Sequence, residues 1–188
     1  TLIEILVVIG VFSGLVSLIA GIFLVNFELQ RKTLTVQKGI GEISYAIEYM
    51  GRAARMAKND EEEICLKEDD SKGYTFGQAT NDSGFRFIDY NNRCIEFFLD
   101  DGKIKRSIIE SGFSIQDDDL TSGIFRISSF NTGSSNQPGD SNLYKKQPAV
   151  TINLNIEADK KKDGTTLWES NIQTTITRRS LDIERVHD

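Results

Sequence analysis

The chain opens with the stretch TLIEILVVIGVFSGLVSLIAGIFLV, residues 1–25, which decides how the molecule is organised. From Ile5 to Val25 run 21 residues without a charged side chain. A helix of that length covers about 32 Å, the hydrocarbon thickness of a bilayer. Fifteen of these residues are Ile, Leu, Val or Phe. Together they favour membrane insertion by roughly 5–9 kcal/mol. The sequence therefore predicts a membrane-spanning helix.

Glu4 is the only charged side chain in residues 1–27. An ionisable group at the margin of an apolar segment calls for a partner. One explanation is the free α-amino group of another subunit, which meets the carboxylate when apolar helices stack with an axial stagger. The other is a carboxylate in the first helical turn, which the macrodipole stabilises by about 0.3–1 kcal/mol. The residues alone leave both explanations open.

Beyond Val25 apolar residues recur at helical spacing, which predicts one continuous helix from Leu2 to about Lys58. Residues 28–58 are expected to form its amphipathic half, which supports a globular head. The predicted apolar face consists of Leu29, Val36, Ile40, Ile43, Ile47, Met50, Ala54 and Ala57. Within the apolar half, Gly10 and Gly14 have the Gly-xxx-Gly spacing of closely packed membrane helices. Glycine is also frequent in membrane helices generally, so a background role is the alternative.

Residues 1–9, Thr-Leu-Ile-Glu-Ile-Leu-Val-Val-Ile, resemble the start of bacterial type IV pilins and type II secretion pseudopilins. In that family a prepilin peptidase removes a short basic leader, and the mature chain begins with a residue, usually a methylated Phe, before the Thr-Leu-Ile-Glu run. That residue and the leader are expected to precede Thr1. The resemblance implies that Glu4 pairs with the N-terminus of a neighbouring subunit, with Thr1, Leu2 and Ile3 in the same assembly element.

The resemblance also implies the partners and the location of the chain. The partners are other pilin subunits, the inner-membrane assembly platform, the prepilin peptidase and membrane lipid. Arg31 and Lys32 follow the span and by themselves indicate a cytoplasmic C-terminal part. The resemblance instead places the head outside the cytoplasm, anchored in the inner membrane before assembly and carried on a surface or periplasmic filament afterwards.

Residues 59–188 are predicted to form a β-rich head, because the apolar period shifts toward two. The expected strands are Ile64–Lys67, Tyr74–Phe76, Phe85–Tyr90, Cys94–Leu99, Lys103–Ile109, Ile124–Phe130, Ala149–Glu157 and Leu167–Ile176. Asp101-Gly102 is expected to form a tight hairpin turn. The polar stretches Asn131–Gln147 and Ala158–Thr166 are expected to be loops, either solvated or contacting partners.

Cys65 and Cys94 are the only cysteines, and the single histidine is His187. Two cysteines cannot complete a four-ligand zinc site. In an exported head they are expected to form a disulfide, and two unpaired thiols are the alternative. The acidic runs Asp100-Asp101 and Asp117-Asp118-Asp119 are expected to be solvated turns, with calcium ligation as the alternative.

The composition argues against several classes of function. The net charge is −6, and removing the charge of Glu4 leaves −5 on residues 28–188, which disfavours nucleic-acid binding. No nucleophile elbow, phosphate-binding loop, dinucleotide fingerprint or metalloprotease motif occurs, so the chain is not expected to be an enzyme or to need a cofactor or metal.

These observations predict an α+β, pilin-like fold in which a long N-terminal helix supports an antiparallel sheet. The expected function is that of a structural subunit of a type IV pilus or of a type II secretion or competence pseudopilus. A minor subunit is favoured, because the head is large and lacks the disulfide near the C-terminus that many major pilins have. The alternative is a single-pass sensor or adhesin whose anchor resembles that of a pilin.

Overall fold

The computed structural model describes residues 2–60, 65–66, 75–110, 113–135, 147–160 and 166–179. The chain divides into two compact units, Thr1–Ile40 and Gly41–Asp188. The first contains only helix among its described residues, and the second contains the end of that helix and all the described strands. The described part of the chain is therefore α+β, as predicted.

Helix α1 spans Leu2–Arg55, three residues short of the predicted end at Lys58. Glu4 lies in its first turn, while Arg52 and Arg55 lie in its last, and both placements stabilise the helix dipole. The helix closes with a hydrogen bond from the Ala57 amide to the Ala54 carbonyl, 3.1 Å long. The Lys58 amide then donates to a carbonyl of the neighbouring sheet, so the chain leaves the helix there.

The first sheet is an antiparallel meander of five strands in sequential order. Its strands are β1 (Gly77–Gln78), β2 (Gly84–Ile88), β3 (Cys94–Asp100), β4 (Lys103–Glu110) and β5 (Phe113–Asp119). The predicted hairpin between β3 and β4 is confirmed, because Asp100 pairs with Lys103. Asp101 and Gly102 both have positive φ angles, 48° and 74°, as a tight turn requires.

The second sheet has three antiparallel strands in the order β6-β7-β8. They are β6 (Phe125–Ser134), β7 (Ala149–Lys160) and β8 (Thr166–Thr177). Each of the three corresponds to a predicted strand but is longer than expected. The loops predicted at Asn131–Gln147 and Ala158–Thr166 are wrong at their ends, because residues 131–134, 158–160 and 166 continue the strand ladders. The rest of both stretches, apart from residues 135 and 147, lies outside the described residues.

The core of the second unit joins the helix end to both sheets. The helix contributes Ile43, Ala46, Met50 and Ala54, all nearly inaccessible to solvent. They belong to one buried cluster with Phe85, Phe87, Phe97, Phe130, Ile127, Ile152, Leu154 and Ile156. Of the apolar face predicted for residues 28–58, Leu29 and Ile40 are exposed instead, and burial of the large apolar side chains begins at Ile43.

Two predicted strands are wrong where the structure describes them. Cys65 and Leu66 do not extend a ladder, because both backbone amides donate to the Asp60 carboxylate. Thr75 and Phe76 also precede the first strand rather than forming one. The remaining residues of the stretches predicted at Ile64–Lys67 and Tyr74–Phe76 lie outside the described part of the chain.

The acidic run at residues 117–119 is not a turn but the end of β5, so that prediction is wrong. Strand β4 supplies the compensating cations. Arg106 lies opposite Asp118 and makes an ion pair with it, and Lys103 contacts Asp119 at 3.0 Å. Opposite charges across adjacent strands stabilise a ladder that three successive carboxylates would otherwise weaken.

Candidate functional site

The apolar part of α1 is a continuous exposed hydrophobic surface. Every Leu, Ile, Val and Phe from Leu2 to Phe27 is solvent-accessible, with exposures from 46% at Phe27 to 82% at Leu2. Soluble monomers rarely expose apolar patches larger than a few hundred Å². The helix is also long and apolar enough to cross a membrane. This segment therefore requires lipid or another apolar surface to cover it.

The polar side chains of this segment bond to the helix that carries them. Ser13 Oγ donates to the Ile9 carbonyl and Ser17 Oγ to the Ser13 carbonyl, each at 2.9 Å. Asn26 Nδ2 donates to the Ile22 carbonyl at 3.0 Å. A hydroxyl or amide donor left unpaired in hydrocarbon costs several kcal/mol, roughly, and these bonds remove that cost. The segment is thus chemically suited to an apolar environment.

The end of the apolar segment has the side chains expected at a boundary with water. Phe23 and Phe27 stack with their ring centroids 6.4 Å apart. The Arg31 guanidinium lies 4.5 Å from the Phe27 ring centroid, a cation–π contact. The next residue, Lys32, has its Nζ atom 2.9 Å from the Glu28 carboxylate. The change from apolar to charged surface therefore falls within residues 26–32.

The predicted assembly residues lie at the start of this helix. Glu4 is exposed in the first turn, beside exposed Leu2 and Ile3. Thr1 lies outside the described residues. A Cβ atom added at Gly10 or at Gly14 meets nothing within 4 Å. Close packing at these glycines concerns a neighbouring helix and stays a prediction.

The predicted disulfide is present between Cys65 and Cys94, whose Cα atoms are 5.2 Å apart. Both cysteines are buried, in a small cluster with Leu66 and Ile88. Asp60 supports this cluster: its Oδ2 atom accepts hydrogen bonds from the amides of Cys65 and Leu66, at 2.8 and 2.6 Å. Sequence reasoning missed Asp60. The available signal was local, because Asp60 lies only five residues before Cys65.

Sequence reasoning also missed a cleft in the head, the Tyr–Arg cleft, with a volume of about 470 Å³. Its defining side chains are Tyr45, Tyr49 and Arg52 of α1, Tyr90 and Arg93 of the β2–β3 turn, and Arg106 of β4. The helical spacing of Tyr45, Tyr49 and Arg52 was the one available signal. Those three residues share a helix face, but the other three come from distant parts of the sequence.

Arg106 lines this cleft and is held by two partners. Its guanidinium donates to the Tyr49 hydroxyl and to the Asp118 carboxylate, and its Cζ atom lies 5.8 Å from the Tyr49 ring centroid. Burial lowers the pKa of Arg106, but its contacts with Asp118 and Tyr49 outweigh burial and raise the pKa above its ordinary value. Arg106 therefore stays charged and keeps Tyr49 in place.

No group of three or more His, Cys, Asp or Glu side chains in the described residues is arranged to hold a metal ion. Comparison of the chain with known protein families, curated proteins and solved structures finds no match. The exposed apolar helix, Glu4 and the disulfide-bonded head are the features of the chain that bear on its function.

Proposed function

We propose that this chain is a structural subunit of a type IV pilin-like filament, either a pilus or a secretion or competence pseudopilus. The observation that carries the proposal is the continuous exposed apolar surface from Leu2 to Phe27. Burying one Leu, Ile, Val or Phe side chain is worth about 1.5–3 kcal/mol, so this segment does not stay in water. Lipid covers it before assembly, and the helices of neighbouring subunits cover it in the filament.

Glu4 favours a filament over a simple anchor. In a simple membrane anchor, the helix dipole stabilises a carboxylate in the first turn by only about 0.3–1 kcal/mol, while insertion makes the charge costly. In a bundle of staggered helices the same carboxylate pairs with the α-amino group of a neighbour, in a medium where an ion pair is strong. The resemblance of residues 1–9 to pilins and pseudopilins supports this role for Glu4.

The head is assigned to an extracytoplasmic compartment. The Cys65–Cys94 bond is buried in the head, and structural disulfides persist in oxidising compartments rather than in the cytosol. Arg31 and Lys32 follow the span and by themselves indicate the opposite topology. We give the buried disulfide more weight than these two charges. A head held outside the inner membrane is in the position that a filament subunit requires.

Replacing Glu4 by Ala tests the proposal in the host that produces the natural precursor. We expect the amount of this chain in sheared filaments to fall about tenfold or more, since losing one low-dielectric ion pair costs at least about 1.4 kcal/mol per contact. The amount in the membrane fraction should not fall. Quantitative mass spectrometry of both fractions gives the ratio.

Glu28→Ala is the matched control, because Glu28 is an exposed carboxylate on the same helix, 2.9 Å from Lys32. Exposed pairs of this kind are worth about 0–1 kcal/mol, so filament content should change little. A single-pass sensor or adhesin predicts no difference between the two variants. Equal filament content for Glu4→Ala and Glu28→Ala would therefore remove the case for a filament subunit.

A further inference from the structure

Among the described strands, the two sheets of the head have four edges, and three of these are protected against pairing with another chain. Strand β1 is only 2 residues long, and β5 has three consecutive aspartates, residues 117–119, at its end. Strand β6 lies against the first sheet, where its Ile127 amide donates to the Gly102 carbonyl at 2.9 Å. Its Thr132 hydroxyl also donates to the Gly84 carbonyl, at 2.7 Å. Short strands, charged side chains and cover by another element all protect a sheet edge.

Strand β8 forms the fourth edge and lacks these protections. It is 12 residues long, contains no proline, and has Glu169 as its only charged residue. Its Ile172 and Ile176 side chains pack on the core, whereas Asn171 and Gln173 are exposed on the opposite face. A long, uncharged edge strand is a template on which another extended chain can add.

The hydrogen bonds just beyond β8 identify which of its backbone groups face the open edge. The Arg178 amide donates to the Pro148 carbonyl at 2.8 Å and continues the ladder with β7. The Arg179 amide points the other way and donates to the Arg55 carbonyl at the end of α1. Amides alternate in direction along an antiparallel strand. The odd-numbered residues 169–177 therefore direct their N–H and C=O groups to the open edge. Within the described part of the chain, no hydrogen bond reaches these groups.

Glu169 determines which charge an added strand should carry. It lies directly opposite Glu157 of β7, and Arg126 of β6 lies opposite Glu157 on the other side. Like charges opposite each other destabilise a sheet, and opposite charges stabilise it. Glu169 accepts a hydrogen bond from Asn155 Nδ2 at 3.0 Å, but none of the described residues forms an ion pair with it. A Lys or Arg opposite Glu169 on an added strand would supply that ion pair.

The described edges of this chain do not provide such a strand. Strand β8 itself has no Lys or Arg, so pairing with β8 of a second copy leaves Glu169 without a cation. Strand β5 would bring the carboxylates of residues 117–119 toward Glu169. Strand β1 is too short, and β6 already lies against the first sheet. Charge complementarity therefore favours a segment of a different protein.

We propose that the open edge of β8 binds an extended segment of a different protein, which adds to the second sheet as a further strand and places a Lys or Arg opposite Glu169. In strand addition, main-chain hydrogen bonds give affinity and alternate side chains give specificity. The uncharged side chains of Asn171, Gln173 and Thr175 favour uncharged residues on the rest of the segment. This binding site goes beyond the proposed filament function and does not depend on it.

Selection from a library of displayed random peptides, about ten residues long, tests this site on the whole chain in detergent. We expect the enriched peptides to share one Lys or Arg among uncharged, β-branched residues. Gln173→Pro removes an amide that faces the open edge, a position where an edge strand tolerates proline. It should weaken binding of an enriched peptide about tenfold, because a main-chain hydrogen bond is lost. Fluorescence anisotropy measures the dissociation constant.

Gln173→Ala is the matched control, because it removes the same side chain but keeps the amide. Its affinity should change by less than about twofold. Glu169→Lys tests the charge without altering the backbone, at a residue whose side chain is exposed. Selection on Glu169→Lys should enrich Asp or Glu at the position where the parent chain selects Lys or Arg. Circular dichroism checks that each variant is folded.

Peptides that carry a cation, bind Gln173→Ala but not Gln173→Pro, and reverse their charge preference on Glu169→Lys support strand addition at β8. No enrichment, equal affinity for Gln173→Pro and Gln173→Ala, or an unchanged charge preference on Glu169→Lys overturns it. If Gln173→Pro does not fold, the charge preference on Glu169→Lys decides alone.

Discussion

Phe12 and Phe97 have the same side chain but differ in solvent exposure, because they lie in two different regions of the molecule. Phe12, in the N-terminal helix, is 67% exposed, whereas Phe97, in β3, is completely buried. Phe97 lies in a cluster of aromatic rings, 5.4 Å from Phe85 and 6.1 Å from Tyr49 between centroids. The head therefore completes its own core, while the N-terminal helix depends on material outside the chain to cover it.

The largest expected effect comes from truncating the two phenylalanines in turn. Phe97→Ala should lower the free energy of unfolding of the head by about 3–5 kcal/mol, through lost burial and a residual cavity. Phe12→Ala should leave that free energy unchanged within about 0.5 kcal/mol, because the Phe12 side chain is already 67% exposed. Urea unfolding of the full chain in detergent, followed by Trp168 fluorescence, measures both. A comparable loss from Phe12→Ala would show that the contrast between the two regions is wrong.

Loss of the disulfide is the next largest effect, and it should be confined to the head. Replacing Cys65 and Cys94 together by Ser opens a loop with a sequence separation of 29 residues. The chain-entropy account predicts a loss of about 3–4 kcal/mol in the stability of the head. The buried cluster around this bond consists of Cys65, Leu66, Ile88 and Cys94. Extraction from membranes by carbonate depends on the exposed apolar segment from Leu2 to Phe27 and should be unchanged. Release of the variant from membranes would contradict the independence of the two regions.

The smallest expected effect concerns a surface carboxylate of the head. The Ser114 hydroxyl donates to Asp117 Oδ1 at 2.6 Å and is the main reason that the pKa of Asp117 lies below its ordinary value of 3.8. Ser114→Ala should raise that pKa toward 3.8. NMR titration of carboxyl carbons measures the shift, and Ser128→Ala, which removes a hydroxyl from β6, is the control.

The sign of the pH dependence follows from the direction of this shift. A carboxyl group whose folded pKa is lowered stabilises the fold above its unfolded pKa, and the contribution disappears as the pH falls through the folded pKa. The wild-type head should therefore lose this contribution at acidic pH below 3.8, whereas Ser114→Ala should already lack the part due to the Ser114 hydroxyl at neutral pH. An unchanged Asp117 titration in Ser114→Ala would show that the hydroxyl does not stabilise the carboxylate.

The features that sequence reasoning predicted correctly are those with local causes. The helix was placed within three residues of its end because its apolar period needs no knowledge of the rest of the fold. The turn at Asp101-Gly102 follows from backbone preferences at two residues. The disulfide followed from there being only two cysteines in a chain expected to be exported.

The features that sequence reasoning missed depend on distant residues. Three consecutive aspartates in β5 disfavour a strand, and only the cations of β4 beside them reverse that preference. Cys65 and Leu66 have the residue types of a strand, but their backbone amides donate hydrogen bonds to the Asp60 carboxylate instead of to a neighbouring strand. The Tyr–Arg cleft joins three separate elements, so its arginines cannot be grouped without the fold.

The composition of sheared surface filaments from the native host tests the central claim most directly. Mass spectrometry should find this chain in the filament fraction, in a fixed ratio to other subunits, with its N-terminal peptide intact. Trace but constant amounts fit a minor subunit, and abundance fits a major one. Finding the chain only in the membrane fraction, while filaments assemble without it, would contradict the account.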